Sequence, residues 1–187
     1  MKQISFWVSL LILLGNQCLL AGLNDGLVAY YPFNGNANDA SGNGNNGTVC
    51  GAVLTTNRFG VPNSAYDFDG ATTYIRVPDS DSLELTNDFS LSVWVNRRNN
   101  APGVPMGILC KHIAGFNFDG TWMFQIYPIK GTVDFEATPY FDPNTESITA
   151  PTQLSWHHLV FNYQKASQVW TMYIDGVLDN FGPTHYG

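Results

Sequence analysis

After residue 21 the chain is dominated by alternating apolar and polar side chains. In residues 89–95, FSLSVWV, every second residue is apolar, and the positions between them hold Ser90, Ser92 and Trp94. A period of two is typical of a strand that buries one face. This segment therefore predicts a strand whose apolar residues face the core and whose serines and Trp94 share the opposite face.

Similar short patterns, separated by Gly, Pro, Asn and Asp, predict further strands. The clearest hairpin joins residues 156–163 to residues 168–176 through a turn at residues 165–167. Proline-containing residues 96–106 and 140–152 are predicted surface loops. Because parallel strands need long crossovers, the pattern predicts an all-β fold, an antiparallel two-sheet sandwich. The other predicted strands are residues 27–31, 48–54, 65–68, 74–77, 107–111, 122–127 and 132–137.

The first 21 residues form a different kind of segment. Lys2 precedes an apolar run from about residue 6 to residue 14, and small or polar residues follow. The run is shorter than the roughly 20 apolar residues of a membrane-spanning helix, so residues 1–21 are predicted to be a secretory signal peptide. Cys18 leaves a lipoprotein anchor open as an alternative. We therefore expect a secreted protein, extracellular or at the cell surface, with one domain at residues 22–187 and no membrane insertion.

The charge balance narrows the range of partners. The chain has 8 basic and 15 acidic residues and a formal net charge of −7. A nucleic-acid-binding surface needs clustered Lys and Arg, and here the basic residues are scattered. Nucleic acid is therefore not an expected partner, whereas an acidic chain suits a protein that binds a cation or a neutral glycan.

Two cysteines remain after residue 21, Cys50 and Cys110, each within an apolar segment. The even number and the expected oxidising compartment predict a disulfide bond between them. Two buried free thiols that act as small apolar side chains are the alternative. The sequence leaves both interpretations open.

Four segments follow one another in the order of a known family of β-sandwich modules. They are GLVAYYPFNGNANDASGNGNNG, SAYDFDGATTYIRVPDSDSLELTNDFSLSVWV, SWHHLVFNY and WTMYIDGVL. Together they resemble the laminin-G-like, concanavalin-A-like jelly-roll domains of secreted and surface proteins. The resemblance implies a jelly-roll sandwich and a recognition module that binds carbohydrate or surface glycoproteins.

The same resemblance bears on the end of the chain and on a metal site. Members of the family usually continue past the YIDG segment to a last strand, whereas this sequence stops at Gly187, so the resemblance implies that the closing strand is missing. Family members often hold a structural calcium ion at the rim of the sheet. By resemblance, Asn36, Asp39 and Asp69 are the candidate calcium ligands, in loops rich in the oxygen donors that calcium prefers. The alternative is that these side chains cap turns.

Sugar binding needs an exposed aromatic ring beside polar groups, because a pyranose presents an apolar C–H face and a rim of hydroxyls. Alternation places Trp94 with two serines on one face. It also places Tyr127 with Gln125, and Tyr173 with Thr171. Trp94, Tyr127 and Tyr173 are therefore candidate ligand-binding residues. Core packing is the alternative for each, since large aromatic side chains are mostly buried.

Catalytic signals are weak in this sequence. Related jelly-roll glucanases carry an E-x-D-x-x-E strand motif. The nearest match here, Asp134 and Glu136, shares a strand face but lacks the third carboxylate. His157 and His158 are adjacent on a predicted strand and point to opposite faces, so they cannot chelate one metal ion together. We therefore expect no enzyme. An accessory domain of a larger secreted carbohydrate-active enzyme and a purely structural adhesion module are the alternative functions.

Overall fold

The computed structural model describes residues 22, 24–98, 106–111, 122–127, 130–137 and 145–184 of the protein. The predicted signal peptide at residues 1–21 lies outside the described residues. Within them the chain forms short antiparallel strands and one 3₁₀ turn, Asp81–Leu83, which confirms the all-β class. The strands are β1 (Thr48–Cys50), β2 (Val53–Thr55), β3 (Ala65–Asp67), β4 (Tyr74–Arg76), β5 (Phe89–Asn96), β6 (Met106–Lys111), β7 (Trp122–Ile126), β8 (Val133–Ala137), β9 (Trp156–Gln164), β10 (Val169–Ile174) and β11 (Val177–Pro183).

Two sheets enclose the hydrophobic core. One has four strands in the order β11-β10-β9-β5, and the other has three in the order β6-β7-β8. Phe135 of β8 stacks on Phe161 of β9 with ring centroids 4.2 Å apart, and neither side chain is exposed. Burying one such ring contributes about 1.5–3 kcal/mol, so this contact fixes the two sheets face to face. The buried residues are Phe124, Ile126, Val133, Phe135, Leu159, Phe161, Tyr163, Trp170, Met172 and Ile174.

Strand β5 shows the alternation that its sequence predicts. Its apolar residues pack against the core, while Ser90, Ser92 and Trp94 are exposed. Among the described strands β5 pairs with β9 alone, so its core-facing side chains stay half-buried whereas those of the inner strand β9 are buried. The period of two thus sets the orientation of every side chain on β5.

Two tight hairpins build the rest of the four-stranded sheet. The predicted hairpin between β9 and β10 is confirmed. Strand β11 was not predicted, because its sequence does not alternate cleanly and its pairing with β10 is irregular between Met172 and Tyr173. Its signal was the two-residue turn Asp175 and Gly176, with φ of 52° and 80°. Two successive positive φ angles define the hairpin turn for which Asp-Gly is preferred.

The N-terminal part forms two separate two-stranded sheets. The single strand predicted at residues 48–54 is wrong in extent, because it divides at Gly51, where φ is 74°. Before this glycine β1 pairs with β4, and after it β2 pairs with β3. A glycine adopts positive φ without steric cost, so Gly51 lets the chain change partners within one short segment.

The strand predicted at residues 27–31 is absent from the structure. Its backbone groups bond to the polar loop, mainly to side chains, instead of to another strand. The N–H of Tyr30 donates to Asp39 Oδ1 at 2.9 Å, and the carbonyl of Val28 accepts from Asn43 Nδ2 at 3.0 Å. Asn and Asp side chains compete with strand pairing in this way, and the apolar pattern of residues 27–31 did not reveal it.

Polar contacts connect the N-terminal part to the sandwich. Asn45 Nδ2 donates to Ser82 Oγ at 3.0 Å, and Arg98 forms an ion pair with Asp67 of β3. The buried core cluster, by contrast, takes its residues from β7 to β10. The two N-terminal sheets therefore contact the sandwich through side chains, and a further one, Arg58 in the loop between β2 and β3, lies against Trp94.

Candidate functional site

Two of the three predicted ligand-binding aromatics lie on one surface, the face of the four-stranded sheet that points away from the core. Strand register places Trp94 beside His158. It also places Tyr173 beside Val160, whose other neighbour is Ser92. We call this surface the outer face; its residues are Ser90, Ser92, Trp94, His158, Val160, Asn162, Thr171, Tyr173, Leu178 and Phe181.

The outer face combines exposed rings with polar groups. Trp94 is 40% exposed and Phe181 is 64% exposed, so neither belongs to the core. In the strand row that ends at Phe181, Asn162 Nδ2 donates to Thr171 Oγ1 at 3.2 Å. Tyr173 is half-buried. This surface therefore offers both the apolar platforms and the hydrogen-bonding groups that recognition of a sugar requires.

Neighbouring side chains hold the Trp94 ring in place. The imidazole of His158 lies parallel to the indole, with ring centroids 4.9 Å apart and an interplanar angle of 9°. His158 Nε2 lies 2.8 Å from Ser92 Oγ, and its backbone N–H donates to Asp175 Oδ1 at 2.9 Å. The indole is thus oriented before any ligand arrives, which lowers the entropy cost of binding.

A further side chain at this site comes from the β2–β3 hairpin. The guanidinium carbon of Arg58 lies 4.2 Å from the centre of the Trp94 ring. Sequence analysis missed Arg58, because it belongs to no motif and its contact with Trp94 depends on how two distant hairpins meet. The extended site therefore spans the outer face and the tip of the β2–β3 hairpin.

The third candidate, Tyr127, lies elsewhere. It follows β7 in the three-stranded sheet and is 38% exposed. Its predicted polar neighbour, Gln125, is 2% exposed and so is not a surface group. The structure therefore brings Trp94 and Tyr173 together and separates Tyr127 from both.

Gln125 belongs to a buried polar pair in the three-stranded sheet. Its Nε2 donates to Asp134 Oδ2 at 3.1 Å, and Asp134 is 1% exposed. Burial, together with repulsion from Glu136 and Glu146, raises the pKa of Asp134 to about 7 against the hydrogen bond from Gln125. Within the described part of the chain Gln125 Oε1 has no hydrogen-bond partner. Asp134 is therefore expected to take up a proton at a higher pH than an exposed carboxyl group does.

The candidate calcium ligand Asp39 is engaged within its own loop. Its carboxylate accepts from the N–H groups of Tyr30, Ser41 and Asn45 at 2.8–3.0 Å, and from Ser41 Oγ at 2.8 Å. Although partial burial acts in the opposite direction, these bonds lower the pKa of Asp39 to about 2. The carboxylate therefore caps the backbone of its own loop.

The other two candidate ligands also cap turns. Asp69 accepts from the hydroxyl of Thr72 and from successive backbone N–H groups, and these bonds lower its pKa well below the usual range. Asn36 Oδ1 accepts from the N–H of Asn38 at 2.9 Å. Among the described residues no group of three His, Cys, Asp or Glu side chains is arranged to hold a metal ion. Calcium binding at Asn36, Asp39 and Asp69 stays a prediction.

The two adjacent histidines have different partners. His157 Nδ1 lies 2.7 Å from Asp175 Oδ2, and its Nε2 lies 2.9 Å from Thr152 Oγ1. His158 instead contacts Trp94 and Ser92. The two rings do not converge on one site, in agreement with the sequence-based interpretation. His157 ties the loop before β9 to the turn after β10.

The predicted disulfide bond is not present in the structure, where Cys50 and Cys110 are free thiols. Cys50 lies opposite Tyr74 in the β1–β4 pair, whereas Cys110 lies opposite Met123 in the β6–β7 pair. The two residues belong to different sheets, and register places neither beside the other. The thiols are free, but Cys50 is half-buried and Cys110 is exposed, so the alternative of two buried thiols is not confirmed either.

Comparison with known families agrees with this architecture. The model of the family Laminin_G_3, described as the concanavalin A-like lectin/glucanases superfamily, matches residues 69–186, more than half of the chain. The protein therefore belongs to the concanavalin A-like lectin/glucanase superfamily, as the four sequence segments predicted.

A solved structure shows the same fold. Domain 4 of AbnA, a GH43 extracellular arabinanase from Geobacillus stearothermophilus, was solved in complex with arabinotriose. The similarity covers 86% of this chain and 76% of that domain, with a TM-score of 0.56 and 19% sequence identity. No curated protein sequence showed significant similarity. No helix within the described residues is long and apolar enough to cross a membrane.

Proposed function

We propose that the protein is a secreted, non-catalytic carbohydrate-binding module that holds its glycan on the outer face. The proposal rests mainly on the position of Trp94 and Tyr173 on one sheet face, where polar side chains such as Ser92 and Thr171 lie beside them. Stacking of sugar rings on such aromatics, combined with hydrogen bonds to hydroxyls, is the usual chemistry of glycan recognition. Calcium at the N-terminal loop is proposed as an auxiliary structural ion.

Membership of the superfamily and the similar arabinanase domain support the ligand class. That domain was solved with an arabinose trisaccharide, so this fold supports glycan binding. A fold does not determine a ligand, so the sugar is identified by its binding on a glycan array. A surface glycoprotein would present the same chemistry through its glycans.

The arrangement of carboxylates favours binding over hydrolysis. Glycosidases need two carboxyl groups about 5–9.5 Å apart on either side of the bond to be cleaved. Asp134 is buried beside Gln125, so a sugar on the surface does not reach it. We therefore propose that purified protein releases no reducing sugar from β-glucans. Measurable release that is lost in Asp134→Asn or Glu136→Gln would contradict this proposal.

A glycan array tests the binding function directly. Purified protein is applied to the array in millimolar calcium and again with excess chelator. We expect binding to a related set of oligosaccharides, weakened by the chelator if calcium orders the loop. A folded, cooperatively melting protein that binds no glycan in either condition would overturn the proposal and favour a structural adhesion module.

An accessory role in a larger secreted enzyme is a second candidate. The observation that favours it is that the similar solved structure is one domain of an extracellular arabinanase. In such a role the module would bind the polysaccharide on which its enzyme acts. Pull-down of the protein with insoluble polysaccharides would test this, because an accessory domain binds the polymer whereas an adhesion module does not.

A further inference from the structure

The tip of the β2–β3 hairpin is a well-ordered loop that presents one cation. Asn57 Oδ1 accepts from the N–H of Phe59 at 2.9 Å and from the N–H of Val61 at 3.1 Å, and Asn57 also donates its own N–H to Val61. Gly60 completes the turn with φ of 81°. These bonds fix the backbone on both sides of Arg58, so the position of its side chain is restricted.

The guanidinium of Arg58 lies against two aromatic rings. Its central carbon is 4.1 Å from the centre of the Phe59 ring and 4.2 Å from the centre of the Trp94 ring. Rings contact a guanidinium through its flat faces. A guanidinium stacked in this way keeps its N–H donors in its own plane, where they can still bond to another group.

Those donors have no partner in the described part of the chain. Arg98 pairs with Asp67, and Arg97 donates to the carbonyl of Pro151. Arg58 is exposed and has neither an ion pair nor a hydrogen bond among the described residues. In a chain with a net charge of −7, carboxylates are plentiful, yet none of the described ones neutralises this group.

We propose that Arg58 recognises the carboxylate of an acidic sugar residue in the glycan bound at the outer face, a proposal that rests on the proposed carbohydrate-binding function. A guanidinium fork matches a carboxylate through two parallel hydrogen bonds, which makes such pairs stronger and more directional than neutral ones. The same sugar ring lies against the part of Trp94 that the stacked His158 and Arg58 side chains leave exposed. The net negative charge of the chain favoured a neutral glycan. The positive charge of Arg58, unpaired among the described residues, favours instead a glycan that contains a uronate residue.

Isothermal titration calorimetry with matched trisaccharides tests this proposal. The probes are trimers of galacturonate, mannuronate and glucuronate, each beside its carboxyl-reduced neutral counterpart, and one sulfated galactan trimer. We expect at least one uronate trimer to bind about tenfold more tightly than its reduced form. Arg58→Gln should abolish that difference, and Arg58→Lys should retain part of it, because an ammonium supplies charge without the fork.

A control variant shows whether the effect is specific to Arg58, and three other outcomes would contradict the proposal. Arg76→Gln removes another exposed positive charge, on β4, and should leave the uronate preference unchanged. Equal binding of uronate and reduced trimers, or a preference that persists in Arg58→Gln, would overturn the role of Arg58 while the proposed function stands. Tighter binding of the sulfated trimer than of every uronate trimer would overturn the carboxylate assignment. Absence of binding to any glycan would overturn the proposed function itself.

Discussion

Trp94 of β5 and His158 of β9 stack face to face across the strand pair, with ring centroids 4.9 Å apart. The pairing register alone places them side by side, and the bond between His158 and Ser92 fixes the imidazole. The indole on the outer face therefore depends on a neighbouring ring for its orientation, and it presents one conformation to a ligand.

His158→Ala should weaken glycan binding severalfold while the protein stays folded. An aromatic pair contributes about 0.5–1.5 kcal/mol, and its loss lets the indole turn away from its binding orientation. Calorimetry measures the affinity, and thermal melting checks the fold. His157→Ala is the matched control, since it removes the bonds to Asp175 and Thr152 and should lower stability by about 1 kcal/mol without changing affinity. Weaker glycan binding by His157→Ala together with unchanged binding by His158→Ala would contradict the role of His158 in orienting Trp94.

Asp134→Asn should stabilise the protein at pH 8 and have little effect at pH 4. The folded-state pKa of Asp134 is about 7, whereas an unfolded Asp has a pKa of about 4. The folded state therefore binds the extra proton between these values, and the contribution of Asp134 to stability falls as pH rises from about 4 to about 7. Asn stays neutral at every pH, so it carries no cost of ionisation in the buried position.

Melting curves at pH 4, 6 and 8 measure this effect. We expect a gain on the order of 1–3 kcal/mol for Asp134→Asn at pH 8, shrinking as the pH falls. The control Asp81→Asn, at an exposed position in the 3₁₀ turn, should follow the wild-type profile. A destabilised Asp134→Asn at pH 8 would show that the ionised carboxylate is needed in the sheet.

Asp39→Ala should lower the melting temperature by several degrees even in the absence of calcium, because it leaves three backbone N–H groups of the loop without their acceptor. The folded-state pKa of Asp39 is about 2. Its contribution to stability is therefore complete above about pH 4 and is lost as the pH falls towards 2. Melting of the wild type and the variant from pH 2 to pH 7 would show the two curves converge at the acid end.

The same variant tests the predicted calcium site. A bound ion that prefers the folded state raises the melting temperature by mass action. Wild-type protein in millimolar calcium should melt above protein in chelator, and Asp39→Ala should abolish the difference. Identical wild-type curves in both buffers would show that Asp39 is a loop cap only.

The sequence was most informative where side-chain periodicity was strict. Alternation in β5 predicted that Trp94 points away from the core, and the structure shows that orientation. The strand prediction failed at residues 27–31. There Asp39 and Asn43 bond to backbone groups that would otherwise have paired with another strand. Propensity alone does not show whether a neighbouring loop or another strand satisfies those groups.

Sequence patterns did not predict the contacts between segments that are distant along the chain. Trp94 and Tyr173 were each identified as candidates, but only the pairing of β5, β9 and β10 shows that they share a surface. Tyr127 satisfied the same pattern and lies on the other sheet. Arg58 had no local signal at all, since its role depends on how the β2–β3 hairpin meets β5.

The most direct test of the outer face as the glycan-binding surface compares Trp94→Ala with Tyr127→Ala. Each variant removes one partly exposed aromatic ring, but only Trp94 lies on the outer face. Calorimetric titration with the strongest oligosaccharide from the array should show about tenfold weaker binding for Trp94→Ala and unchanged binding for Tyr127→Ala, with both variants melting cooperatively. Unchanged affinity in folded Trp94→Ala, or a loss confined to Tyr127→Ala, would contradict the account and place the ligand on the three-stranded sheet or elsewhere.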